Sequence, residues 1–194
     1  ENLMSEINQI GQLKKRSIEI KDIESELYFM EDDIIMIEIG NLKYKTLMEA
    51  WFYHLNLSAN SSFNSKTLIM TRKTTYDKKN KFAITKELLP ISKNEAFQHL
   101  ELLKGLAYNG STICWPIPPE SGLAFALARR KNENQAEKLF KQKWEGNLYF
   151  PGERESLAMQ VCFGRECKAS KLLEDESFID VLMSLYNPIL KNIK

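Results

Sequence analysis

The spacing of apolar positions changes period several times along the chain, and each change marks an element. Residues 17–22, SIEIKD, alternate apolar and polar at period two, which predicts a half-buried strand. Residues 26–30, ELYFM, predict a second strand, and Asp32-Asp33 a turn. Residues 34–39, IIMIEI, are almost continuously apolar, as suits a central strand covered on both faces. Gly40-Asn41 ends that run. From 46 to 57 the period becomes helical, with Leu47, Ala50, Trp51, His54 and Leu55 on one stripe that would cover the sheet. On such a stripe His54 reads as a satisfied histidine at the core edge. Residues 66–71, KTLIMT, and 82–85, FAIT, bracket the polar tip RKTTYDKKNK and predict a hairpin with a long loop.

Ser92 with Glu95 forms a capping box, and Phe97, Leu100, Leu103 and Ala107 are expected to face the core until Asn109-Gly110 stops the helix. The stretch 112–152 organises the rest of the chain. Ile113, Cys114 and Trp115 read as a buried strand, Pro116, Pro118 and Pro119 as a stiff exit, and Glu120-Ser121 as the opening of a helix. A strand handing over to a helix on a short connection is an α/β unit. Residues 133–144 predict a helix that buries Ala136, Leu139, Phe140 and Trp144. Residues 157–163 fit a strand or a helix. Ser177 with Asp180 is expected to open a last helix burying Phe178, Leu182, Leu185, Tyr186 and Ile189, with Pro188 near its end.

Composition narrows the class without naming a chemistry. At 194 residues, with 43% hydrophobic and 10% aromatic content, the chain is expected to form one domain, residues 1–194, cut from a longer protein. No apolar run approaches the roughly 20 residues of a membrane span. Three cysteines without a CxxC pair, and two distant histidines, argue against zinc and for reduced thiols in a cytoplasmic setting. A net charge of +1 makes any nucleic-acid contact local.

Strand, strand, apolar strand, then helix is the layout of the restriction-endonuclease-like, PD-(D/E)XK-type fold. That chemistry needs an acid on one strand, then an acid and a lysine two residues apart on the next, so that carboxylate oxygens hold a hard cation. Glu38 supplies an acid, but two residues on stands Gly40. Lys43 and Lys45 come after the break and are expected to point elsewhere, while Asp32 and Asp33 read as a solvated turn. Catalytic and metal-ligating residues are therefore expected to be absent, and no cofactor is expected. The densest cationic cluster is the hairpin tip, Arg72, Lys73, Lys78, Lys79 and Lys81 with Tyr76 among them. It is either a phosphate-touching element with a stacking aromatic or a soluble loop. Trp144, Tyr149 and Phe150, in a loop punctuated by Gly146, Pro151 and Gly152, are candidates for a partner contact or for burial under the helix. No nucleophile elbow or phosphate-cradling glycine loop is present.

The segment PPESGLAFAL, a helix ending in KWEGN, and Gly152-Glu153 together resemble the C-terminal region of the RecC family, the gamma subunit of exodeoxyribonuclease V. The resemblance implies a nuclease-like mixed sheet flanked by helices that has lost its catalytic residues. It also implies a role in a RecBCD-type helicase–nuclease acting in double-strand-break repair and recombination. RecB-type and RecD-type subunits, and double-stranded DNA ends or separated strands, would be its partners. The rivals are an active magnesium-dependent nuclease and a pure protein-interaction module.

Overall fold

The computed structural model describes residues 7, 10–20, 23–40, 42–60, 63–73, 81–112 and 117–194. The chain divides into two compact units, residues 1–101 with 192–194 and residues 102–191.

The first unit is built on strands β1 (Leu13–Ile20), β2 (Ile23–Met30), β3 (Asp33–Glu38), β4 (Thr67–Lys73) and β5 (Lys81–Leu88), with helix α1 (Tyr44–Asn60) between β3 and β4. They form one sheet in the order β1-β2-β3-β4-β5. The first three strands are an antiparallel meander, with Leu13 opposite Met30 and Phe29 opposite Ile34. β3 and β4 run parallel, Ile35 beside Leu68 and Glu38 beside Thr71. A parallel pair needs a crossover, and α1 provides it. β4 and β5 are antiparallel, with a register shift at Ile69/Met70. The β1–β3 hairpins and the β4–β5 pair lie where the alternation predicts, with boundaries shifted by up to four residues: β1 starts at Leu13 rather than Ser17, and β3 runs 33–38 rather than 34–39.

Because side chains alternate across a strand, the central strand feeds two apolar layers. Ile35, Leu68, Met70 and Phe82 pack with Ile7 on one side. Ile34, Leu27 and Phe29 pack on the other, against Tyr53 and Leu57 of α1. The stripe Leu47, Ala50, Trp51, His54 and Leu55 is buried throughout, as its spacing predicts. At the outer edge of β5, Glu87 exchanges both backbone bonds with Lys194 (2.9 and 3.1 Å) and Leu88 bridges Ile193. That pairing covers an edge otherwise open to strand addition.

Helix α2 (Lys93–Thr112) begins with the expected capping box, Glu95 accepting from the Ser92 hydroxyl at 2.7 Å and its N–H at 3.1 Å. Two expectations for it are corrected. Leu100 is buried as expected and Leu103 is half-buried, but the buried neighbour of Leu100 is Ala96, while Phe97 (56% exposed) and Ala107 are exposed. The helix also runs through Asn109-Gly110, because Gly110 does not adopt the left-handed conformation that would end it. The strand expected at 113–115 lies outside the described residues.

The second unit is helical: α3 (Pro119–Arg129), α4 (Glu133–Glu145), a 3₁₀ turn (Glu153–Glu155), α5 (Leu157–Phe163), α6 (Ala169–Leu173) and α7 (Glu176–Asn192). The ambiguous segment 157–163 is thus a helix. Positions 136, 140 and 144 recur at helical spacing, so α4 buries Ala136, Phe140 and Trp144. Phe140 stands edge-on to Phe125 and Phe178 at 6.0 and 6.1 Å and stacks on Trp144. α7 buries the five side chains its period predicts. Its cap is Asp175, which accepts from the Ser177 hydroxyl and N–H and the Phe178 N–H, rather than Ser177 with Asp180. Cys162 is disulfide-bonded and Cys167 is a free, buried thiol, which corrects the expectation that all three cysteines are reduced.

Candidate functional site

The acid that a hydrolytic centre would need lies at the end of β3. Glu38 is nearly buried, and both of its carboxylate oxygens are engaged by groups of this chain. The Thr46 hydroxyl donates to Oε2, and Lys43 Nζ sits 3.1 Å from Oε1. The Thr46 donation, helped by Lys43, holds the Glu38 carboxyl below the usual carboxylate range. Lys43 therefore does not point away, as expected from sequence. α1 starts at Tyr44, so the short connection after Gly40 returns the chain toward the strand end and brings Lys43 and Thr46 back to it. Gly40 itself has φ +116°, a conformation suited to glycine in this reversal.

The other carboxylates lie elsewhere. Asp33 opens β3, five residues from Glu38, which at about 3.3 Å per residue is roughly 16 Å along the strand. Its Oδ1 accepts the Lys66 N–H at 2.8 Å. Asp32 is solvated and lies 3.7 Å from Arg16; the turn falls at Glu31-Asp32, one residue earlier than the Asp32-Asp33 expected from sequence, and Asp33 belongs to β3. On β2, Glu24 accepts from Ser17 and Glu26 pairs with Lys15, both on β1. Asp32, Asp33, Glu24 and Glu26 are thus each engaged by a neighbouring strand or loop rather than by Glu38. Among the described residues no group of three or more His, Cys, Asp or Glu is placed to hold a metal ion.

His54 is fully buried, with Nε2 3.0 Å from the Leu89 carbonyl and Nδ1 3.0 Å from Thr67 Oγ1. A carbonyl only accepts, so Nε2 carries the proton and Nδ1 accepts from the threonine hydroxyl. Burial pushes the imidazole down to about 4, which keeps it neutral. It ties α1 to β4 and to the chain after β5, the structural role its stripe position predicts.

The basic hairpin is only partly within the described residues. Arg72 and Lys73 close β4, Lys81 opens β5, and the ladder pairs Arg72 with Phe82 and Lys73 with Lys81. The register therefore places residues 72, 73 and 81 of the cluster at one end of the sheet. Tyr76, Lys78 and Lys79 lie outside the described residues.

In the second unit the loop aromatics separate. Trp144 is fully buried and donates its indole N–H to the Cys167 carbonyl at 2.9 Å, so it leaves the candidate partner-binding set. Tyr149 (86% exposed), Phe150 (71%) and Leu148 (98%) are presented to solvent. Glu153, part of the segment that carries the resemblance, has a role the sequence did not show. Its carboxylate accepts the Glu120 N–H at 2.9 Å and the Ser121 N–H at 2.8 Å, together with the Ser121 hydroxyl, and so caps α3. Ser121 is fully buried, and Pro119 supplies no N–H of its own at the helix start. Gly122, one residue on, lets α3 close against α7, since a Cβ there would lie 3.0 Å from the Tyr186 ring. The Tyr186 hydroxyl in turn donates to the Pro119 carbonyl at 3.2 Å.

The first unit is thus an α/β protein with a mixed five-stranded sheet, and the acid at the end of β3, Glu38, is engaged by Lys43 and Thr46 of its own chain. The model of the RecC C-terminal domain matches residues 8–130, more than half of the chain, and the chain belongs to that family. Membership places it in a RecC-type subunit of exodeoxyribonuclease V, the RecBCD assembly of DNA repair and recombination. No curated protein matches the chain. No helix among the described residues is long and apolar enough to cross a membrane.

Proposed function

We propose that this chain is a non-catalytic scaffold on a restriction-endonuclease-like fold, which joins RecB-type and RecD-type subunits and guides DNA strands through the assembly. It needs no cofactor, and its place of work is the cytoplasm. The observation that carries the reading is the state of Glu38. Its Oε1 faces Lys43 and its Oε2 the Thr46 hydroxyl, while Asp33 stands at the opposite end of β3. A hard cation needs several oxygens at 2.0–2.6 Å, and one carboxylate already bonded to a hydroxyl and an ammonium does not supply them. The order of strands, a three-stranded meander, a helix and a fourth strand parallel to the third, supports descent from the nuclease layout. Arg72, Lys73 and Lys81 at one sheet end support a phosphate contact that continues into Tyr76, Lys78 and Lys79.

A second reading, a magnesium-dependent nuclease, is favoured by one observation, the return of Lys43 to Glu38. Against it, no group of three or more His, Cys, Asp or Glu among the described residues is placed to hold a metal ion.

The guidance role is tested in the complete assembly with Lys78→Glu and Lys79→Glu together. If the tip touches duplex phosphates, the slope of log affinity against log salt becomes shallower by about 2, at ~0.9 per lost contact. An unchanged slope contradicts DNA guidance by this hairpin and leaves the protein-interaction module.

A further inference from the structure

The turn after α4 is built to hold three apolar side chains away from the protein. Gly146 bridges Pro151, and the Asn147 N–H donates to the Phe150 carbonyl at 2.9 Å, so residues 147–150 are pinched at the neck. The Asn147 side chain closes the tip from inside, accepting the Tyr149 N–H at 2.9 Å and the Phe150 N–H at 3.0 Å. The neck admits only glycine. A Cβ on Gly146 would meet the Gly152 nitrogen at 2.3 Å, and one on Gly152 the Trp144 carbonyl oxygen at 2.3 Å. Trp144, two residues before Gly146, is locked in the core. A fully buried anchor, a crossed neck and an Asx-closed tip therefore present Leu148, Tyr149 and Phe150 at 98, 86 and 71% exposure.

We infer that this tip inserts into an apolar pocket on a different protein subunit of the assembly, an inference that rests on the scaffold reading above. Three consecutive exposed large apolar residues are a patch of the kind that marks interaction sites. Tyrosine and phenylalanine offer large, rigid contact area with little rotamer entropy to lose, and the fixed backbone removes most of the remaining ordering cost. Shape and area identify the occupant. A projecting tip is complementary to a concavity and not to itself, whereas a two-fold dimer must bring the same patch together twice. Its three side chains offer on the order of 500 Å², short of the roughly 800 Å² per partner of a stable interface. The tip is thus one anchor within a larger contact, and the same unit offers more apolar surface where α5 exposes Leu157 and Val161 one turn apart. A pocket of aliphatic and aromatic side chains, with an acceptor for the Tyr149 hydroxyl, is the chemistry that fits.

The test uses the full-length subunit co-expressed with its RecB-type and RecD-type partners, comparing wild type with Tyr149→Ser/Phe150→Ser. Both side chains are solvated, so the variant keeps the wild-type melting temperature. The inference predicts that affinity for one partner subunit falls about 30-fold or more, as for two interface hot spots. A change below about threefold overturns it. A wild-type chain that dimerises alone through this tip, or binds phosphatidylcholine vesicles through it, also overturns it by naming another occupant. Wild type that assembles with neither partner overturns the scaffold reading, and the anchor with it, an outcome distinct from equal assembly of both forms.

Discussion

Glu153→Ala removes a carboxylate that caps α3, and the structure sets the size of the loss. The carboxylate accepts from two backbone N–H groups and from the Ser121 hydroxyl. Loss of an N-terminal cap costs about 0.5–2 kcal/mol. Ser121 is fully buried, so its hydroxyl donor is left without that partner, at about 1–3 kcal/mol. Allowing for overlap between the two effects, Glu153→Ala should destabilise the second unit by about 2–4 kcal/mol, a large share of a typical total of about 5–15. For a unit of this size each kcal/mol lowers the melting temperature by roughly 4–8 °C, so the transition should fall by about 10 °C or more. Glu153→Gln keeps one oxygen and presents an amide N–H₂ to the other donor, and should lose about half as much. Calorimetry on wild type and both variants decides the matter. If Glu153→Ala costs under about 0.5 kcal/mol, Glu153 is a bystander to the α3 terminus and the argument is wrong.

Two further outcomes rest on particular side chains. His54 is held near 4 in the fold and returns to about 6.5 when unfolded, so protonation favours unfolding. Its contribution is complete above about pH 6.5 and declines as pH falls, reaching a loss of about 3 kcal/mol near pH 4. Denaturant titrations at pH 7 and pH 4.5 should show this slope in wild type and lose it in His54→Gln; equal slopes refute the assignment. Gly146→Ala places a Cβ on a backbone at φ +71° and 2.3 Å from the Gly152 nitrogen. It should destabilise by about 2 kcal/mol or more and raise amide exchange across residues 147–152, and unaltered exchange would show that the neck does not need glycine.

What was legible in the sequence was what short range decides. The Ser92–Glu95 box, the α1 stripe and the burial of Ala136, Phe140 and Trp144 each arise from residues within a few turns of one another and appear as expected, while Leu139, expected with them, is only half-buried. The central position of β3 was readable because both faces of its first half are apolar. Phase and ends were less secure. α2 buries Ala96 beside Leu100 and leaves Phe97 exposed, a choice of face that the apolar spacing alone did not fix. Asp175 displaced Ser177 as the α7 cap because several polar residues in that short stretch compete to satisfy the same N–H groups. Long-range closures left no local mark. Glu153 caps a helix that begins at Pro119, and neither segment signals the other. From sequence Lys43 reads as pointing away from Glu38, because a glycine break does not show that the lysine beyond it returns to the strand end. The loop aromatics looked alike as a composition, yet helical phase on α4 buries Trp144 while the glycine neck exposes Tyr149 and Phe150.

The central claim is that the sheet retains a nuclease layout without a cation site at the β3 end. The most direct measurement is DNA cleavage by the full subunit, purified free of other subunits, with Mg²⁺ or Mn²⁺ and linear or single-stranded DNA. The account predicts no cleavage above the metal-free background, and the same result for Glu38→Ala. Cleavage by the wild type that Glu38→Ala abolishes would contradict it.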